Sequence, residues 1–232
     1  VLPAPYIPED QIEKLIEDEL ERSGLKPPIL NPVLNLAQFI ERHLMTTLDE
    51  YAELPQEVMG EVCFEFNKKP HISINRDLTE NADNGDSLGV LGRLRATIAH
   101  EAGHVILHKS LFSFDEKDQV SLFSGDLEKD VRCFHRCLKR DLHRTSGSIE
   151  RVEIQANIAM AALLMPKSLF IPLAKPLLKN AQRHGASHPN CKQADDMVHK
   201  LAQEFRVSHQ AARIRLQKLQ LLPGPHSLEM WK

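Results

Sequence analysis

The sequence predicts an α+β fold, with helices set around a small β-hairpin and a further helical pair at the C-terminal end. Three observations carry this. Two apolar runs, Ala96–Leu107 and Ile154–Met165, are long enough for buried helices. Residues 61–75 alternate apolar and polar side chains on either side of a turn. Residues 194–219 repeat apolar positions at helical spacing, broken once by a short polar turn.

The elements follow in order. Pro8-Glu9-Asp10 opens a helix over Gln11–Ser23, with Ile12, Leu15, Ile16 and Leu20 on one face, and Gly24 and Pro27-Pro28 end it. Leu34–Met45 reads as a second amphipathic helix carrying Leu36, Phe39, Ile40 and Leu44. In Glu61–Phe66, Val62, Phe64 and Phe66 alternate with polar neighbours. Asn67-Lys68-Lys69-Pro70 turns, and His71–Asn75 returns with Ile72 and Ile74 on one side. Asn81–Ser87 is a polar loop whose Asp and Asn spacing lacks the Gly and Glu placements of a calcium loop. Arg95–His108 is a helix apolar nearly all round, so it belongs inside. Lys109–Arg151 is a charged segment between the two buried helices, long enough for a lid. Pro166 closes the second buried helix, and Pro172, Pro176, Gly185 and Pro189 punctuate a connection. Helices over Ala194–Phe205 and His209–Leu219, with Ser208 as N-cap of the second, form a pattern similar to a helix-turn-helix. The expected organisation is residues 1–166 as one domain, 167–190 as linker and 191–232 as a helical subdomain and tail.

The buried helix carries His100-Glu101-Ala102-Gly103-His104. Residues four apart on a helix lie about 40° from each other and about 6 Å along the axis, so both imidazoles leave one face. One Zn²⁺ can bridge them, and Glu101, one position along, stands where a general base acts on water at such a metal. Buried polar groups without partners are costly, which argues for an occupant rather than a chance pattern. A hydrolytic zinc site takes three protein ligands. Leu107 and Ser110 stand where a Gly and a third His would continue the metzincin motif, so that class is excluded. Glu153, in the first turn of the second buried helix, is the favoured third ligand. Ala156, Ala159, Ala161 and Ala162 would let that helix pack closely. Asn157, one turn on, could accept a hydrogen bond from a ligand imidazole. Asp115, Asp130 and Asp141 stay open as competitors. His108 has drifted about 80° from His100 and suits a satisfied neighbour better than a ligand.

On these residues the chain resembles the ImmA/IrrE family of metallopeptidases. The resemblance rests on Arg95–His108, on Glu153–Pro166 and on Ile72-Ser73-Ile74-Asn75, and with their spacing it spans roughly residues 30–170. It implies a zincin-like metallopeptidase core with Zn²⁺ held by His100, His104 and Glu153, and Glu101 as the catalytic acid and base. It further implies a protein substrate such as a helix-turn-helix transcriptional repressor, cleaved in a mobile-element or stress response. In zinc peptidases of this general kind a strand beside the active-site helix holds substrate backbone by strand addition, and the 61–75 hairpin is the candidate. The chain departs from its relatives in its Cys- and His-rich segment Lys109–Arg151, and in Gln155, where many carry a second acid.

Composition sets wider bounds. With 232 residues, 42% hydrophobic and 26% charged, the chain has the balance of an ordinary globular protein. A net charge of −3 gives no whole-chain case for nucleic acid. Within 191–222 six basic residues, Arg213 and Arg215 among them, outnumber three acidic ones, so DNA contact there is an expectation second to a structural or protein-recognition role. The N-terminal residues lack a signal-peptide pattern, and no apolar run suits a membrane span. Cys63, Cys133, Cys137 and Cys191 suggest reduced thiols and a cytoplasmic setting. Cys133 and Cys137 read as inward-facing on a helix, with a second metal site including His143 as the lesser alternative. Against the peptidase reading stands a binding module that uses the zinc fold to grip a regulator without hydrolysing it.

Overall fold

The structure, a computed structural model, describes residues 5–65, 68–85, 87–112, 132–138, 151–183 and 191–222. Helix α1 (Glu9–Ser23) buries Ile12, Ile16 and Leu20 completely, each contributing roughly 1.5–3 kcal/mol through burial. Gly24 ends it in the left-handed region at φ 65°, its N–H capping the carbonyl of Glu21. The expected helix over 34–45 is shorter and irregular. A single turn α2 (Leu36–Gln38), capped by Asn35 Oδ1, runs into a π-helical turn over Phe39–His43, where Leu44 N bonds Phe39 O.

The sheet has four strands in the order β1-β3-β2-β4: β1 (Thr47–Ala52), β2 (Val58–Glu65), β3 (His71–Asn75) and β4 (Arg132–Leu138). The hairpin expected from the alternation is β2 with β3, antiparallel, Val62 opposite Ile72. β1 pairs parallel to β3 along its other side, and β4 pairs antiparallel to β2. Both hairpin strands are therefore flanked over these registers. This corrects the expectation that the hairpin offers an edge to substrate, since the sheet edges are β1 and β4. β4 also corrects the expected helix around Cys133 and Cys137. From Arg132 to Cys137 its backbone pairs in register with Glu65 to Gly60 of β2, and pairing of this kind overrides a weak helical pattern. The direction of those thiols, and His143, Asp115, Asp130 and Asp141, lie outside the described residues.

Asn75 ends β3 and caps α3 (Arg76–Asp83), while its amide nitrogen ties down the carbonyls of Leu54, Pro55 and Val58. α4 (Leu88–Phe112) lies across the sheet and along α5 (Arg151–Leu164). Residues 167–183, expected to be a punctuated connection, form α6 (Lys167–Arg183) with Pro172 and Pro176 inside it. Both prolines are exposed, so water can reach the carbonyls they leave free, while Leu169, Phe170 and Ala174 bury the opposite face. α7 (Lys192–Phe205) and α8 (His209–Lys218) follow, joined through Arg206 in the left-handed region. Ser208 Oγ caps α8 by accepting from Ala211 N at 3.1 Å.

The α7–α8 pair is fastened to the rest of the chain. A Cβ on Gly92 of α4 would stand 2.5 Å from Ser208 N and 2.9 Å from the Val207 carbonyl carbon, so only glycine lets that turn sit against α4. Arg215 is 3% exposed; its guanidinium pairs with both carboxylate oxygens of Glu13 on α1 and bonds the Met165 carbonyl. Among the described residues, no single helix is long and apolar enough to cross a membrane.

Candidate metal centre

Two glycines bring the site together. A Cβ on Gly103 would lie 3.1 Å from both Ala156 O and Ala159 Cβ, so its absence lets α5 lie against α4. Ala156, Ala159 and Ala162 face this contact and are buried, whereas Ala161, expected with them, is half-buried off the face. On the sheet side, a Cβ on Gly60 of β2 would meet Thr97 Cγ2 at 2.8 Å and Glu101 Oε1 at 3.2 Å. Sequence reading passed over both glycines. Gly60 was detectable only as a gap in a strand, a place where another group comes close.

The close packing sets Glu153, in the first turn of α5, against the imidazoles of His100 and His104. His100 Nε2 lies 3.1 Å from His104 Nε2 and 3.1 Å from Glu153 Oε2, and His104 Nε2 lies 3.5 Å from Glu153 Oε1. Donors at 2.0–2.1 Å from a tetrahedral zinc stand about 3.3 Å apart, so this triangle fits one face of a zinc coordination shell. The two imidazoles are 1% exposed, and the Glu153 side chain is 16% exposed, so the triangle opens outward on the Glu153 side. Among the described residues, His100, His104 and Glu153 form the cluster able to hold a metal ion.

Glu101 occupies the space left by Gly60. It is fully buried and neither carboxylate oxygen has a hydrogen-bond partner. Burial holds its carboxyl well above the usual range, and the negative charges of Glu153 and Glu61 push the same way. The ligand imidazoles, by contrast, are bonded behind. His100 Nδ1 is 3.1 Å from Asn157 Oδ1, the contact expected of Asn157. His104 Nδ1 is 3.0 Å from His108 Nδ1, and His108 Nε2 is 3.0 Å from Gln155 Oε1. His108 is thus a bonded neighbour facing away from the triangle. Gln155, noticed in the sequence only as a departure from relatives, is part of the setting.

Two neutralisable imidazoles and a carboxylate, gathered beside an unpaired acid in a buried pocket, are the donor chemistry of a hydrolytic metal centre. The family model of the IrrE N-terminal-like domain matches residues 135–217, a match in line with the resemblance to the ImmA/IrrE metallopeptidases. The matched span holds Glu153, Gln155, Asn157 and the α7–α8 pair, while His100, Glu101 and His104 precede it. No curated protein matches the chain.

Proposed function

We propose that the chain is a zinc-dependent endopeptidase, with His100, His104 and Glu153 holding the metal and Glu101 handling the proton. The observation that carries this reading is the 3.1–3.5 Å donor triangle beside a buried carboxylate with no partner of its own. Zinc, when bound, supplies Lewis acidity toward water and a peptide carbonyl. Asn157 accepts from His100 Nδ1–H and so keeps the Nε2 lone pair for the metal. Glu101 takes the proton of the attacking water on a carboxylate oxygen and passes it to the departing amine nitrogen. With no competing hydrogen bond, that carboxylate is free to make both contacts. Its complete burial keeps bulk water away and strengthens each charge interaction around it.

The proposed substrate class, a helix-turn-helix repressor, rests on the family resemblance, and a cytoplasmic setting on the reading of the four cysteines as reduced thiols. DNA contact through α7 and α8 has little to draw on. Arg215 is spent on Glu13, and Arg213 is paired with Asp195. The test is elemental analysis of the wild type and Glu153→Ala, with chelator-sensitive cleavage of a fluorescent unfolded protein as second readout. About one zinc per chain in the wild type, lost in the variant, is expected. Near-zero zinc in the folded wild type overturns the reading. Zinc without cleavage of any protein moves the balance to the non-hydrolytic binding module.

A further inference from the structure

We infer that His108 and Gln155 are positioning residues of the metal centre. They act through His104 by fixing which of its ring nitrogens carries the proton. The inference rests on the zinc reading above for its purpose, but its geometry stands apart from it.

The argument starts at a backbone oxygen. Gln155 Nε2 lies 2.7 Å from the carbonyl of Pro5, which can only accept, so the amide's NH₂ end points there. Its Oε1 is then the atom 3.0 Å from His108 Nε2, and an amide oxygen can only accept. His108 therefore carries a proton on Nε2. A neutral imidazole so protonated has a bare Nδ1, and that atom lies 3.0 Å from His104 Nδ1. His104 must then donate, with its proton on Nδ1. Its Nε2 is left bare, 3.1 Å from His100 Nε2 and 3.5 Å from Glu153 Oε1. With both imidazoles neutral, each step follows from the previous one.

From His104 to Gln155 the chain of bonds is closed to water, and it reaches the surface at Pro5. His104 and His108 are each 1% exposed and Gln155 is 2% exposed. An imidazole in such surroundings has no solvent partner to settle its tautomer, so the protein must settle it. Without the acceptor at His108 Nδ1, a proton on His104 Nε2 would stand in the donor triangle and bar that nitrogen from a metal. The relay also explains why Gln suits position 155. An amide can accept from His108 and donate to Pro5 at once, whereas a carboxylate would face the Pro5 carbonyl with nothing to donate. The backbone ahead of α1 is in this way tied to the rear of the metal centre.

The experiment uses ¹⁵N-histidine-labelled full-length chain, metal-free and zinc-loaded, as wild type, His108→Phe, Gln155→Met and the double variant. Leu163→Ala, buried on α5, controls for loss of fold. In the metal-free wild type, long-range ¹H–¹⁵N spectra should show His104 protonated on Nδ1 and His108 on Nε2. In Gln155→Met the His104 pattern should shift toward a mixture of tautomers. Zinc affinity, read by competition with a chromophoric chelator, should fall roughly 10- to 100-fold in each single variant. The double variant should lose no more than the worse single, because both act through one chain of bonds. A wild-type His104 protonated on Nε2, or affinity losses equal to those of Leu163→Ala, overturns the relay. Failure of the wild type to bind zinc would instead sink the zinc reading, and the metal-free tautomers would still decide the relay.

Discussion

Replacing Glu101 by Gln should push stability and activity in opposite directions. In the metal-free protein the carboxylate is buried with both oxygens unpaired, and an unsatisfied buried group costs about 1–3 kcal/mol, more when charged. The amide keeps the shape and the neutral part of that cost but removes the charge. A gain of about 1–2 kcal/mol at pH 7 follows, or about 2–8 °C in the melting temperature of a chain this size. The sign with pH is fixed by the raised carboxyl pKa. Below the unfolded value of about 4.3 both states are protonated and the wild type has no charge penalty. As pH rises from there toward the folded value, the unfolded chain releases its proton first and the wild type loses stability. The advantage of the variant should therefore be small near pH 4 and grow toward neutrality. Cleavage should fall by about 10²–10⁴, the usual worth of a general base, while zinc content stays at the wild-type level. Differential scanning calorimetry of the metal-free forms across pH, with a cleavage assay of the loaded forms, reads both arms. A variant less stable than the wild type at pH 7, or one cutting within tenfold of it, would refute the role drawn for Glu101.

Other substitutions probe the scaffold. Gly103→Val forces branched methyls into a space where even a Cβ lies 3.1 Å from Ala156 O; we expect a loss of about 1–3 kcal/mol and weaker zinc binding as Glu153 is displaced, and unchanged affinity in a chelator competition would count against the close-packing argument. Arg215→Ala takes the close partner from the Glu13 carboxylate, 3% exposed, and leaves Lys167 Nζ at 3.9 Å. It should cost about 3–5 kcal/mol in urea unfolding, most of it recovered in the Glu13→Met/Arg215→Met pair. At Glu17, burial raises the carboxyl pKa but is outweighed by the N–H and hydroxyl of Ser168, at 3.0 and 2.7 Å, and by Lys26, so the pKa is lowered. That stability is present above the unfolded value of about 4.3 and lost as pH falls through the folded one. Glu17→Gln should thus melt below the wild type at pH 7, and the gap should close in acid.

What could be read in advance had a short-range cause. The 3.6-residue period of α1, α7 and α8, the alternation of Val62, Phe64, Ile72 and Ile74, and the Ser208 cap are all written within one turn or one hairpin. The triangle of His100, His104 and Glu153 was legible because two of its members share a helix face. β1 was not. Its exposure alternates only between open and half-open, so Thr47–Ala52 carries no core signal, and parallel pairing with β3 is a long-range event. Nor was α6, where two prolines spaced four apart argue locally for a break that burial of Phe170 and Ala174 overrides. The relay from His104 to Pro5 joins residues from three separate stretches, and nothing in the neighbourhood of Gln155 announces it.

The seating of Gly92 beneath the 207–208 turn bears on how this chain can diverge. Any side chain at 92 strikes backbone rather than a yielding side chain, so that glycine and the turn can change only together. Glu13 and Arg215, far apart in the sequence, are bound by a similar constraint, because each is a buried charge that loses its closest partner with the other. The last two helices are thus no cassette to be traded between proteins or dropped by a premature stop. Their loss would uncover Gly92 on α4 and take the Arg215 partner from Glu13. Whatever surface they offer a partner has been inherited in one piece with the centre that α4 carries.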